Sequence, residues 1–127
     1  METTYLYINT KDALLCIDID KIAYMETYGN YTTIVLVNKR KYSLYMSLLK
    51  AEQALCDALK GKKSPFQHIS KQHVINMAYL YEINTQKQLL TLSDYRFFEF
   101  VLQVPKDALL RLRQQLIEQA KPAEGSS

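Results

Sequence analysis

The stretch "KIAYMETYGNYTTIVLV", residues 21–37, decides the fold. Two runs rich in tyrosine, isoleucine, valine and threonine lie on either side of Gly29-Asn30, and this dipeptide is typical of tight turns. β-Branched and aromatic side chains favour strands because they pack well on a pleated surface. The stretch therefore predicts two antiparallel strands joined by a short turn.

The strand pattern continues on both sides of this hairpin. "TYLYIN" and "ALLCIDI" precede it, and the polar turn 38–41 leads from it into "KYSLYM". Farther along, "FQHIS", "AYLYEI", "QLLTLS" and "FFEFVLQV" return to strand character, with a hairpin turn at 84–87. Strands that follow one another through short turns favour antiparallel sheets over β-α-β units.

Two segments change to helical spacing. Residues 47–61 place apolar side chains three and four apart, with Ser47 as the predicted N-cap and Gly61 as the C-terminal stop. The segment "PKDALLRLRQQLIEQA" carries a leucine stripe and begins at Pro105, which suits the first turn of a helix. The sequence thus predicts an α+β fold that is mostly β, with about nine to ten strands, one central helix and one C-terminal helix. We expect a single domain over residues 1–117 and a frayed or disordered tail over 118–127.

Composition and charge limit the classes of protein to which the chain can belong. The 127 residues are 48% hydrophobic and 23% charged, which is ordinary for one folded domain. No apolar run approaches the roughly 18 residues of a membrane span, and the N-terminus lacks the pattern of a signal peptide, so we expect a cytoplasmic protein. A net charge of +3 and a pI of about 8.8 are mild for a nucleic-acid binder, so the placement of the cations matters more than their number.

The sequence carries none of the motifs that mark common active sites. There is no GxSxG elbow, no phosphate-binding P-loop and no HExxH pair. His68 and His73 lie five residues apart, which on one strand would point them to opposite faces, and no ligand partner stands at a zinc-site spacing. We therefore predict no enzyme, no metal and no cofactor. The histidines are either ordinary half-exposed polar residues or surface residues offered to a partner.

The segment "FQHISKQHVINMAYLYEI" resembles the most recognisable part of the LytTR family of bacterial DNA-binding domains. The family pattern of an aromatic residue, a short basic and polar run, an apolar pair and an asparagine corresponds to Phe66, residues 68–73, Val74-Ile75 and Asn76. Three further blocks, "KIAYMETYGNYTTIVL", "YMSLLKAEQAL" and "VPKDALLRLRQQL", are similar to the family in the same order. Together the four blocks span roughly residues 13–117.

This resemblance implies an elongated antiparallel β-domain that binds double-stranded DNA through loops in successive grooves, acts as a transcription regulator and works as a homodimer on paired sites. About twelve residues precede the first matching strand, so we expect a stand-alone domain without a receiver domain. By position, the implied DNA contacts are Asn30, Tyr31, His68, Ser70, Lys71, Gln72, His73 and Lys106. Further candidate phosphate contacts are Lys39, Arg40, Lys62 and Lys63.

Several of these positions depart from the family pattern. The family's histidine aligns with Ser70 and the arginine after it with Lys71, while the arginine before it aligns with His68 and the family's Ser-Arg pair with Pro105-Lys106. Lysine is a point charge without the bidentate fork of arginine. The alternative is therefore a protein-interaction module that dimerises with, or antagonises, a full-length relative and binds DNA weakly or not at all.

Each candidate residue also has an ordinary structural role. Tyr31 would pack on a neighbouring side chain, and Lys71 and Lys62-Lys63 would be solvated. His68 and His73 would be half-buried strand residues. Asn76 follows an apolar strand, and we predict that its amide ties a loop backbone and does not read a base.

Overall fold

In a computed structural model that describes residues 3–125, the chain forms ten strands, two α-helices and two short 3-10 helices. In chain order the main elements are β1 (Tyr5–Asn9), β2 (Leu14–Asp18), β3 (Ile22–Tyr28), β4 (Tyr31–Leu36), β5 (Lys41–Leu44), α1 (Leu48–Leu59), β6 (Phe66–Ser70), β7 (His73–Asn76), β8 (Leu80–Asn84), β9 (Leu89–Ser93), β10 (Glu99–Gln103) and α2 (Lys106–Ala120). The predicted α+β, mostly β fold with one central and one C-terminal helix is confirmed.

The strands of residues 3–125 pair antiparallel in three sheets. The largest has five strands in the order β5-β4-β3-β7-β6, a second has the order β10-β9-β8, and β1 pairs with β2. The hairpin predicted from residues 21–37 forms the centre of the largest sheet. Its turn joins the paired residues Tyr28 and Tyr31, and Gly29 adopts a φ of +56°, where a side chain would be strained.

The five-stranded sheet is buried on both faces. One face packs against α1 and the β1–β2 hairpin through Ile22, Met25, Ile34 and Val74. The other packs against the β8–β10 sheet and α2 through Ala23, Tyr24, Val35 and Ile75. Ala23 and Tyr24 can share a face because the β3–β4 register shifts between Ile22 and Tyr24, which is the effect of a bulge. The central strands β3, β4 and β7 therefore carry apolar side chains on both faces.

Both helices begin where the sequence predicts. The Ser47 side chain accepts a hydrogen bond from the Lys50 N–H at 3.1 Å, and the helix ends at Lys60 and Gly61, both with positive φ. Pro105 is the N-cap of α2. This helix continues to Ala120, so residues 118–120, which we predicted as the start of a frayed tail, are helical; residues 126–127 of that tail lie outside the described residues.

The two histidines lie on different strands, so the premise of a single strand is wrong. His68 belongs to β6 and His73 to β7, and Lys71-Gln72 is the turn between them. The two side chains nevertheless face opposite sides of the sheet. His68 approaches α1, while His73 stands beside Glu26 on the side of α2 and β10.

Candidate functional site

Two of the predicted contact loops meet at one end of the five-stranded sheet. Strand β7 pairs with β3 so that His73 stands opposite Glu26. One residue farther on, the Thr27 N–H donates to the Gln72 carbonyl oxygen over 3.0 Å. The β6–β7 turn therefore lies beside the end of β3, next to the turn at Gly29-Asn30.

The start of α2 joins the same end. A cleft of about 440 Å³ is lined by Ser70, Lys71 and Gln72 from the β6–β7 turn and by Pro105, Asp107, Ala108 and Arg111 from α2. A second cleft, of about 650 Å³, runs between Tyr28, Gln72 and the segment Val101–Pro105. We call the surface formed by Gly29-Asn30, Lys71-Gln72 and Pro105-Lys106 the tip edge. Three segments that are far apart in the chain thus form one surface.

A hydrogen-bond network around buried His73 holds the β6–β7 turn in place. His73 is 2% exposed, and its Nε2 lies 2.6 Å from Glu26 Oε2 while its Nδ1 lies 3.2 Å from Ser70 Oγ. Ser70 Oγ also accepts from the Gln72 N–H at 3.3 Å. A neutral imidazole with its proton on Nε2 satisfies this chain, since Nε2 then donates to Glu26 and Nδ1 accepts from the Ser70 hydroxyl. Both ring nitrogens of His73 are therefore engaged inside the protein.

Glu26 also influences the tyrosines around this network. Its negative charge raises the pKa of the exposed Tyr28 hydroxyl. Burial, with Glu26 as a smaller cause, raises the pKa of Tyr24 to about 12. Both phenols are therefore neutral near pH 7 and can donate hydrogen bonds.

The remaining predicted contacts have different surroundings. Asn30, Lys71, Gln72 and Lys106 are exposed on the tip edge. Tyr31 is also exposed, and its ring packs edge-to-face on Tyr45 with 5.3 Å between the centroids. His68 lies on the α1 side, where its Nδ1 is 3.3 Å from Glu52 Oε1.

Beside the tip edge lie residues that the sequence did not single out. Arg111 lines the cleft beside Lys71, and its guanidinium lies 3.3 Å from the Asp107 carboxylate one helical turn away. A hydrogen bond from Arg111 holds the pKa of Asp107 below its usual value. Tyr45 joins Tyr31 at this end because β5 runs back alongside β4. Arg111 stands five residues after Lys106 on α2. The sequence alone could not place it in this cleft, because that requires knowing which face of α2 packs against the β6–β7 turn.

The four candidate phosphate contacts lie at the other end of the sheet. Lys39 and Arg40 follow β4, whose six residues separate them from the tip edge by roughly 20 Å. Lys62 and Lys63 precede β6, and the Lys62 ammonium lies 3.3 Å from Thr4 Oγ1. We call this end, with the β9–β10 turn at Asp94–Phe98, the far end. The Tyr79 hydroxyl, which donates to the Asp20 carbonyl oxygen at 2.6 Å, links the β8–β10 sheet to it.

Asn76 has the structural role that was predicted for it. Its side-chain amide donates to the Ile22 carbonyl oxygen at 3.0 Å, and its oxygen accepts from the Ala78 N–H at 3.0 Å. The residue is 1% exposed and ties β7 to the start of β3. The prediction that this amide binds backbone is confirmed.

In residues 3–125 no cluster of three histidine, cysteine or carboxylate side chains is placed to hold a metal ion. Over the same residues, neither helix combines the length and the apolar character that crossing a bilayer requires.

Comparisons with known proteins concern the family and the fold. A family model described as the LytTr DNA-binding domain matches residues 12–117. Among solved structures, the chain is similar to the LytTr DNA-binding domain of a protein described as a methyl-accepting/DNA response regulator from Bacillus cereus. The two share 16% sequence identity and a TM-score of 0.61 over 91% of this chain and 98% of that one. No curated protein sequence matches this chain.

Proposed function

The chain belongs to the LytTR family of DNA-binding domains, and from that membership we propose that it binds double-stranded DNA sequence-specifically through the tip edge, as a bacterial transcription regulator. The observation that carries the proposal is the convergence of the turns at Asn30 and Lys71 with the helix start at Lys106. In this proposal the chain binds DNA and does not act as an enzyme. A surface that projects several loops side by side can follow a duplex over more than one groove.

Each part of the tip edge has a distinct role in this proposal. Asn30, Lys71 and Gln72 present amide and ammonium groups that can reach base edges in a groove. Lys106 and Arg111 neutralise phosphates, which fixes the position of the protein without reading sequence. Tyr31 and Tyr45 pack against the sugar-phosphate backbone.

The hydrogen-bond network around His73 supports the proposed DNA contacts indirectly. Ser70 and His73 hold the β6–β7 turn, so in our proposal they position Lys71 and Gln72 and do not touch a base. His68 lies on β6 just before this turn and is assigned to the flank of the surface. Because Lys39, Arg40, Lys62 and Lys63 lie at the far end, any phosphate contacts that they make belong to a second DNA segment or to a bent duplex.

Selection from a pool of randomised duplexes, followed by mobility-shift titration, tests the proposal. We expect enrichment of a defined sequence, repeated twice if a homodimer occupies paired sites. The logarithm of the affinity should fall linearly with the logarithm of the salt concentration, with a slope of about −4 to −5 for roughly four to six phosphate contacts. Binding without enrichment, or binding that is insensitive to salt, would contradict sequence-specific recognition.

A second candidate is a protein-interaction module that pairs with a relative of the same family. The observation that favours it is a cluster of exposed aromatic side chains at the far end, where Tyr81 packs on Tyr95 and Arg96 lies over Phe97. Exposed aromatic residues with an arginine are common at protein interfaces. Size-exclusion chromatography with light scattering separates the candidates, since this module would form a stable complex with a relative in the absence of DNA.

A further inference from the structure

A cavity of about 250 Å³ lies between β1, α1 and the β4–β5 side of the large sheet. Its origin is topological, because β1 belongs to a separate two-stranded sheet and packs over α1 without extending the large one. On the helix side the wall consists of Ala51 and Ala54, whose methyl groups are too short to fill the gap. We call this space the β1 cavity, and its other walls include Leu6, Ile34, Leu44 and Met46.

The walls of the β1 cavity fit an apolar occupant. None of its nine lining residues carries a charge, and the side chains of Tyr7 and Asn9 alternate with those of Leu6 and Ile8 along β1, so they lie on the outer face of the strand. The cavity is partly open to solvent, because Leu44, Met46 and Ala54 are only half-buried, and its apolar walls can take up an apolar molecule. Its volume is slightly below that of sites for drug-sized ligands.

From this geometry we propose that the β1 cavity is a binding site for a small uncharged molecule, aromatic or aliphatic, about the size of a two-ring aromatic compound. A charged group would be excluded, because it would lose its hydration without gaining a partner in these walls.

The β1 cavity is connected to the tip edge by a short path. Leu44 and Met46 line the cavity, and Tyr45 lies between them in a bend closed by the hydrogen bond from the Met46 N–H to the Leu44 carbonyl oxygen at 2.9 Å; its ring packs on Tyr31. The Met46 carbonyl oxygen accepts from the Thr32 hydroxyl at 2.9 Å, which ties this segment to the start of β4. A ligand that displaces Met46 therefore displaces Tyr45. The regulatory part of the inference, that occupancy changes DNA affinity, rests on the proposed function.

Binding is tested with 1-naphthol, and 1-naphthoate serves as a charged counterpart with the same rings. Two-dimensional NMR of the intact protein should show 1-naphthol shifting the methyl signals of Met46 and Ile34, while 1-naphthoate leaves them in place. Equal effects of the two probes, or shifts located elsewhere, would overturn the site. This measurement uses the unaltered protein and does not depend on any variant folding.

A cavity-filling substitution provides a second test of where 1-naphthol binds. Ala54→Leu should abolish the 1-naphthol shifts and raise the melting temperature by about 2 to 5 °C, because it adds buried methyl groups to empty space. Ala58→Leu is the matched control on the same helix, since Ala58 lies outside the β1 cavity, and it should leave the 1-naphthol shifts intact. Retained 1-naphthol binding in folded Ala54→Leu would place the site elsewhere.

Coupling is then measured on a selected duplex. Saturating 1-naphthol should change the DNA affinity of the unaltered protein by about fivefold or more and leave that of Ala54→Leu unchanged. An unchanged affinity at proven occupancy overturns the regulatory role. Failure to select any duplex counts against the proposed function instead, and the NMR result still decides whether the site exists.

Discussion

The tip edge and the far end are the two ends of the same five-stranded sheet, and both carry lysines and turns. They differ in what surrounds the cations. At the tip edge, Lys71 stands on a turn whose base is fixed by the hydrogen bonds that join buried His73 to the half-buried Glu26 and to Ser70. At the far end, Lys39 and Arg40 lie in an exposed turn, and the neighbouring β9–β10 turn presents aromatic rings. In our proposal, the DNA-binding end is therefore distinguished by a turn that a hydrogen-bond network holds in place, and not by basic residues alone.

The largest difference in DNA affinity should appear when a lysine is replaced by alanine first at one end and then at the other. Lys71→Ala should weaken binding to the selected duplex by about 10- to 100-fold, because it removes a base or phosphate contact worth roughly 1–3 kcal/mol. Lys39→Ala, the matched change at the far end, should alter affinity by less than about twofold. Mobility-shift titration measures both, and equal losses would remove the distinction between the two ends.

The second-largest effect should come from the hydrogen bond between Glu26 and His73 beneath the turn. Glu26→Gln should lower the free energy of unfolding by about 1–2 kcal/mol, because it replaces a charge-assisted hydrogen bond to buried His73 by a neutral one. Glu52→Gln changes the other Glu–His contact, which is partly exposed beside His68, and should cost less than about 0.5 kcal/mol. Urea denaturation measures the difference. If Glu26→Gln left both stability and DNA affinity unchanged, the network would not be what positions Lys71.

Aromatic pairs occur at both ends, and they allow a third comparison. Tyr45→Ala removes the ring that packs on Tyr31. Because the proposed contact of the two rings with the sugar-phosphate backbone is then weakened, we expect DNA affinity to fall by about three- to tenfold, which corresponds to roughly 0.6–1.4 kcal/mol. Tyr81→Ala removes the equivalent contact with Tyr95 at the far end and should leave DNA affinity unchanged. A loss with Tyr81→Ala and none with Tyr45→Ala would reverse the assignment of the two ends.

The smallest expected effect concerns the acid at the tip edge. Asp107→Asn should strengthen DNA binding by about twofold, because it removes a carboxylate that repels phosphates and competes for Arg111. Hydrogen bonding from Arg111 lowers the pKa of Asp107 below the ordinary 3.8, so the carboxylate stays charged throughout the neutral and mildly acidic range and the gain should be constant between pH 5 and 8. Glu118→Gln, near the other end of α2, is the control and should have no effect. Weaker binding in Asp107→Asn would indicate that Asp107 itself contacts a base.

Much of the fold followed from local sequence. The hairpin around Gly29-Asn30, the cap at Ser47 and the helix start at Pro105 depend on residues close together in the chain, so their signals are complete within a short window. The role of Asn76 was also predictable, since a buried amide needs backbone partners. The separation of β6 from β7 was less clear, because Lys71-Gln72 contains neither glycine nor proline to mark a turn.

The candidate site was predictable only in part. The resemblance named Asn30, Lys71 and Lys106, but whether they lie on one edge depends on how β7 pairs with β3 and how α2 packs against the β6–β7 turn. The same pairing buries His73 beside Glu26, across 47 residues of sequence, so no local pattern distinguished it from an exposed histidine. Arg111 and Tyr45 were missed for the same reason.

The sequence by itself determined which segments are strands, where the helices begin and which residue types are available to meet DNA, because these depend on side-chain preferences over a few neighbouring residues. Only the tertiary structure decided which cations lie together, which histidine is buried and where an unfilled space remains. Those features depend on contacts between segments that are distant in the chain, and the register of β-strand pairing, not local preference, fixes them.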